Sequence, residues 1–408
     1  MNIFASHSVP LRNVSLTIVY PIIHAIARTP PVPYTVHMAR TSQTFAAARA
    51  LLLLLLIAAA GWREYAALRT PVPLHLPPQQ TVQTINGKLG VHTRLTGIGD
   101  EAYIRDSLTQ VREMGASWIT DLFPWAYAQP RSRYGWDWAG FDMVIKHARR
   151  QGLTVVARLD IVPQWARPAD SSDRLLTAER YDDYARYVVA FLQRYRADGV
   201  RHVIIWNEPN LAFEWGRRVP DPAAYAALLA AVYPQVKAAV PDAVVIAGGL
   251  SPGQDLGDGA EVRMGDEHYL RELLAAGGGA HFDMWGVHAY GAQVPPETAP
   301  ARDEVNLRRV ELVRQDLLRA GVDRPLIITE GGWNDSPRWS AAVLPSQRVR
   351  WTLGAYAYAL TRPWLAAMCL WQFGTPWRAG TYQDSWSFVA PDGTPKAIYW
   401  AVRAYAVP

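Results

Sequence analysis

The 408-residue chain has a single cysteine, Cys369. One thiol excludes an intrachain disulfide and any zinc site built on paired cysteines. No H-E-x-x-H pair and no calcium-binding loop occurs, so no metal or other cofactor is expected. Charge is also scarce, at 19% of residues, and what excess there is sits in one place. Residues 1–60 hold Arg12, Arg28, Arg40 and Arg49 and no Asp or Glu, which accounts for four of the five net positive charges. The rest is close to neutral, so the chain lacks the basic footprint of a nucleic-acid binder.

Apolar residues, by contrast, make up half the chain, enough for a large core. The 17 Trp and 19 Tyr are a marked excess. Indole rings fill cores, and they also stack on sugar rings.

The longest apolar run is "ARALLLLLLIAAAGW", 48–62. Its stretch without charge is too short for a membrane span, which needs ~20 residues. Basic residues before it and small residues after it suit a signal peptide cut near Ala58-Ala59-Ala60, with Met38 as an alternative start. An uncleaved signal anchor stays open. Residues 1–60 are therefore expected to be a targeting segment, and 61–87, rich in Pro and polar residues, a linker. The expected location is secreted or cell-surface.

From 88 to 408, apolar runs alternate with helical patterns. Eight runs begin at 88, 116, 153, 200, 243, 282, 325 and 366, spaced like strand-loop-helix-loop units. The helices carry caps: Asp100 before a face of Ile104, Leu108 and Val111, and Asp221 before Pro222. Pro234 is expected to kink the second of these, and 174–199 reads as one long amphipathic helix. Eight units in one chain predict an α/β fold, a closed (β/α)8 barrel. A doubly wound sheet is the alternative, but the first strand–helix turn lacks a G-x-G-x-x-G.

One stretch poses a question. "VIIWNEPN", 203–210, runs from a doubly buried strand straight into Glu208, with Pro209 ending the ladder. "LIITEGGW" does the same with Glu330. A carboxylate at the end of a buried strand is costly unless it faces a cleft or a partner. In a barrel both would lie on the rim where active sites form, at strands 4 and 7. Two facing carboxylates are the equipment for cleaving a glycosidic bond.

At these residues the sequence resembles the retaining glycoside hydrolases of clan A. "WNEPNLAFEW" is most similar to family 39, which holds β-xylosidases and bacterial exopolysaccharide hydrolases; the resemblance spans roughly 90–405. It implies that Glu208 is the acid/base and Glu330 the nucleophile. It implies that Asn207 bonds the sugar 2-OH, that His288 and Tyr290 match a strand-6 His-x-Tyr, and that Trp371 floors the sugar subsite. The implied partner is an oligo- or polysaccharide, β-linked. The Arg and His that many clan members carry at the ends of strands 2 and 3 are absent from those places. Asp121, Trp125, Asp160 and Trp165 stand there instead, as candidate substrate contacts or as structural residues. Trp215 and Trp333 are divided between sugar platform and packing, and His92 and Arg94 could face the cleft from strand 1. The competing readings are a non-catalytic carbohydrate-binding barrel, which would need to lose an acid, and a metal-dependent barrel, which would need more carboxylates on successive strands.

Overall fold

A computed structural model describes residues 48–59, 73–258 and 262–408. The chain divides into two compact units, 1–72 and 73–408. In the first, 48–59 form a helix whose Leu51 to Ile57 side chains are exposed. Among the described residues, no helix is long and apolar enough to cross a membrane. The rest of the expected targeting segment, 1–47 and 60, and the first part of the expected linker, 61–72, lie outside the described residues.

The second unit is a closed barrel of eight parallel strands in sequential order. The strands are β1 (Leu89–His92), β2 (Trp118–Pro124), β3 (Thr154–Asp160) and β4 (His202–Ile205), then β5 (Val244–Leu250), β6 (Met284–Tyr290), β7 (Leu326–Gly332) and β8 (Leu365–Trp371). A helix follows each one. The first four are α1 (Glu101–Glu113), α2 (Ala139–Arg150), α3 (Tyr181–Tyr195) and α4 (Pro222–Ala239). The last four are α5 (Asp266–Ala275), α6 (Arg309–Arg319), α7 (Pro345–Leu360) and α8 (Ala397–Ala406).

The local signals act as expected at α1, where Asp100 accepts from the backbone N–H of Ala102 and Tyr103, and Ile104, Leu108 and Val111 are buried. Asp221 caps α4 by accepting from Ala224 N, and the helix runs on through Pro234. The expected long helix over 174–199 is shorter. It begins only at Tyr181, because Arg174 is drawn into ion pairs with Asp160 and Glu214 instead.

Alternation along the strands sorts the side chains. Leu89 and Val91, Val155, Ala157 and Leu159, Trp285 and Val287, and Met368 and Leu370 pack outward with the helices. Val156, Ile204, Ile246, Met284, Ile327 and Ala367 form a separate cluster inside the barrel. With a period of two, Gly90, His92, Arg158, His288, Tyr290 and Trp371 share the interior side. Buried tyrosines tie helices to strands: Tyr187 Oη donates to Phe123 O, Tyr225 Oη to Ile205 O and Tyr356 Oη to Gly90 O.

Residues 73–87, read from sequence as part of a linker, lie along the end of the barrel where the strands start. Gln80 N donates to Arg150 O, Ile85 N to Ala406 O, and buried Asn86 Nδ2 to Tyr356 O.

Candidate active site

Strand β4 stops at Ile205, and a turn carries the next residues over the rim. Trp206 (φ 73°) and Glu208 (φ 37°) both adopt left-handed backbone, a costly conformation for residues with a Cβ unless the surroundings hold it. Here they do. Trp206 Nε1 donates to Glu214 O at 2.8 Å, and Glu208 N donates to Gly249 O at 3.1 Å. Asn210 Nδ2 donates to the carbonyls of Ser251 and Met264, and its Oδ1 accepts from Ser251 N. Trp206 and Asn210 are thus the buried fasteners of the motif, and Asn207 and Glu208 its working side.

Glu330 comes from β7, in register with His288 on β6. Tyr290 Oη donates to Glu330 Oε2 at 2.9 Å, and Arg158 Nη1 donates to Oε1 at 2.7 Å. His288 stands between the two glutamates: its Nδ1 is 2.8 Å from Glu208 Oε1 and 3.8 Å from Glu330 Oε2. Those two carboxylate oxygens are therefore within about 6.6 Å of each other, the two distances laid end to end. His288 can approach so closely because Gly249 lies behind it; a Cβ there would come to 3.1 Å from Nε2.

The electrostatics separate the groups. Burial pushes the Glu330 carboxyl up, but His288, His92, Arg158 and the Tyr290 hydroxyl outweigh it and hold the group down at about 2. Glu330 is a carboxylate at any working pH. Burial also pulls His288 down, and the charge of Glu330 with the bond to Glu208 more than offsets that, leaving it raised. His288 Nδ1, its proton held more firmly, thus lies between Glu208 Oε1 and the ionised Glu330. Tyr290 is pushed far up, by burial first and by Glu330 and Glu208 next, so it stays a donor.

The rest of the interior side is built for a polar ring with an apolar face. Asn207 Oδ1 accepts from Arg158 Nη1 at 3.0 Å, which aims its amide N–H groups elsewhere. His92 gives its Nδ1 proton to Thr93 O, and burial drives it down to about 3, so it is neutral with a bare Nε2 lying 3.7 Å from Glu330 Oε1. Trp371 is half-buried, with the His92 ring edge-on at 4.7 Å and the Arg94 guanidinium 5.8 Å from its centroid.

Five candidates from the sequence lie elsewhere. Asp121 is on the outward side of β2 with Ile119 and Phe123, fully buried, accepting from Thr93 Oγ1, Leu95 N and Thr96 N. It clasps the β1 loop and is sealed from any ligand. Trp125 is core: it packs on Trp165, Tyr184 and Tyr187 and bonds Gln129. Trp333 is buried against Trp351 with its Nε1 on Val294 O, and Trp215 is buried too. Asp160 is fully buried and meets arginines, not the cleft.

Those arginines were not anticipated. Arg158 bridges Glu330 and Asn207 and lies 3.4 Å from Asp160; Arg174 joins Asp160, at 2.9 Å, to Glu214, at 2.5 Å. A line of alternating charges thus runs from Glu330 through Arg158, Asp160 and Arg174 to Glu214. Burial pushes Glu214 up to about 7 against the pull of Arg174, with Glu208 and Asp160 adding to the rise. Alternation along β3 was the available signal: Arg158 is two residues from inward Val156. Nothing in the sequence signalled Glu214. Residues 249–253 have a G-x-S-x-G spacing, but among the described residues the Ser251 hydroxyl has no histidine partner.

The fold and the site together define a (β/α)8 barrel with two glutamates meeting on the strand-4 and strand-7 rim. Similar solved structures are glycoside hydrolases. A family 39 glycoside hydrolase from the gut symbiont Bacteroides cellulosilyticus WH2 superposes with a TM-score of 0.61 at 19% identity, over 78% of this chain and 63% of that one. This chain therefore spans less than two thirds of that protein. A monomeric β-xylosidase from Caulobacter crescentus CB15 gives 0.57 at 18% identity, over 79% and 69%. The family 39 enzyme of Xanthomonas axonopodis pv. citri gives 0.56 at 17%, over 81% and 71%. At these identities the likeness establishes the barrel fold. Neither a protein-family profile nor a curated protein sequence matches this chain.

Proposed function

We propose that this protein is a retaining glycosidase that cleaves β-linked oligo- or polysaccharide by double displacement. The observation that carries the reading is the single histidine joining the two rim glutamates, which bounds their separation. Retaining pairs are ~5–5.5 Å apart, and inverting pairs ~6.5–9.5 Å, to admit a water. An upper bound of about 6.6 Å admits the whole of the first range and leaves out all but the shortest edge of the second, which supports retention.

The roles follow from the surroundings. Glu330, held ionised, attacks the anomeric carbon as Glu208 gives its proton to the departing glycosidic oxygen. The C–O bond to the leaving group breaks and a glycosyl ester on Glu330 forms. Glu208, now a base, takes a proton from water, whose oxygen displaces Glu330 and frees the sugar. In this reading Asn207 takes the 2-OH, and Trp371 the apolar ring face. The apolar 48–62 stretch, read as a signal peptide or signal anchor, supports action on a glycan outside the cytoplasm.

The test is a pair of variants on an activated nitrophenyl β-glycoside. Glu330→Ala should abolish turnover, and azide or formate should restore part of it. Glu208→Ala should keep a burst of nitrophenol, because a good leaving group needs little protonation, while natural oligosaccharide is left intact. No burst in the second variant, together with no azide rescue in either, overturns the assignment.

A further inference from the structure

Three arginines gather at this rim, and two of them are paired with carboxylates. Arg158 is matched by Glu330 and Asp160, and Arg174 by Asp160 and Glu214. Arg94, on the loop after β1, is different. Among the described residues it has no hydrogen bond and no carboxylate at ion-pair distance; the Trp371 ring lies 5.8 Å from guanidinium to centroid. Asp121, the acid behind it, is occupied by Thr93, Leu95 and Thr96. Burial and the nearby positive charge of Arg158 both work against the Arg94 cation, with Asp121 and Glu330 compensating only in part.

An arginine stays charged even there. A sugar stacking on Trp371 would cover Arg94 and strip its remaining water. A neutral sugar would leave an unpaired cation in a dry site, which is costly. A carboxylate would remove that cost and match the guanidinium fork with two parallel N–H···O bonds. His92 beside it is neutral and presents a lone pair, so it suits a hydroxyl of the same ring and offers no second cation. On a pyranose, the exocyclic C6 is the position that bears a carboxylate without removing a ring hydroxyl.

Resting on the glycosidase reading above, we propose that Arg94 receives the carboxylate of a uronic acid in the subsite floored by Trp371, so that the substrate is an acidic glycan. The test compares matched 4-nitrophenyl β-glycosides differing only at C6: glucoside with glucuronide and galactoside with galacturonide. For at least one pair, the acidic member should have the higher kcat/KM, by about 100-fold, the size of one charge-assisted pairing. Arg94→Met should reduce that ratio by a similar factor, whatever happens to absolute rates, and Arg94→Lys should recover part of it. Preference for the neutral member in both pairs, or a ratio that Arg94→Met does not move, overturns the proposal. If no glycoside is cleaved, it is the glycosidase reading that fails. Saturation-transfer NMR with glucuronate and galacturonate against glucose and galactose then decides separately: acid-selective binding lost in Arg94→Met upholds the Arg94 assignment, and its absence ends it.

Discussion

Arg158 Nη1 donates to Glu330 Oε1 at 2.7 Å and to Asn207 Oδ1 at 3.0 Å. One guanidinium from β3 thereby fixes two cleft residues from β7 and the β4 turn. It does so from a strand where the resemblance placed no arginine. Arg158→Met should lower kcat by at least about 100-fold, since a buried charge-assisted bond is lost and a carboxylate is left half-paired. The pH profile gives the sharper readout. Glu330 is held low partly by Arg158, so its loss raises that pKa and moves the acid limb of kcat/KM to higher pH. An acid limb that stays in place would exclude Arg158 from setting the charge on Glu330.

Tyr290→Phe removes one donor from Glu330 and nothing else in contact with it. We expect kcat to fall by about 10- to 100-fold, equivalent to ~1.5–3 kcal/mol for a bond to a charged group. The ring contact with Trp386, 5.2 Å between centroids, is retained, so thermal unfolding should be unchanged. A change in Tm with no change in kcat would mark the residue as packing alone.

Glu214 gives a prediction about stability. Its folded value, about 7, lies above its ordinary 4.5 because burial disfavours the charge. A raised acid binds its proton more tightly in the folded chain. Its contribution is complete below about pH 4.5 and is withdrawn as pH climbs through 7, by up to about 3 kcal/mol. Glu214→Gln, which cannot titrate, should therefore flatten the fall in Tm between pH 5 and 7.5. Parallel wild-type and variant Tm curves across that window would contradict this.

The tryptophans divide by position. Trp125→Ala and Trp333→Ala should each cost about 3–5 kcal/mol of stability, as buried indoles do. For Trp333 the fit is tight, since a Cβ on Gly291 would come to 2.0 Å from its ring. Trp371→Ala should instead lose kcat/KM by about 100-fold with a much smaller change in urea midpoint, stacking on a sugar being worth ~1–3 kcal/mol. Equal destabilisation by all three would mean that Trp371 is core.

How much of this could be read in advance follows from the period of a strand. The eight runs and the two rim glutamates are local features, and local patterns carry them: an apolar run, then an acid, then proline or glycine. For Asp121 the parity along β2 decides: it shares the outward side with Ile119 and Phe123, whereas Arg158 on β3 shares the inward side with Val156. Trp125 lies past the end of β2, in a short helix that turns it into the core. Asp160 has inward parity but is covered by two arginines. Arg174 and Glu214 are far apart in sequence, in loops with no periodicity, and only the closed barrel brings them together.

The segment 73–87 has a practical side. It is fastened by Gln80, Ile85 and Asn86 to the end of the barrel where the strands begin, and both glutamates open at the other end. The amino-terminal lead-in is therefore a handle on the base of the cup. A truncated protein started at Pro73, or a tag or solid support joined ahead of it, leaves the mouth clear, whereas cutting past Asn86 would pull out a buried peg.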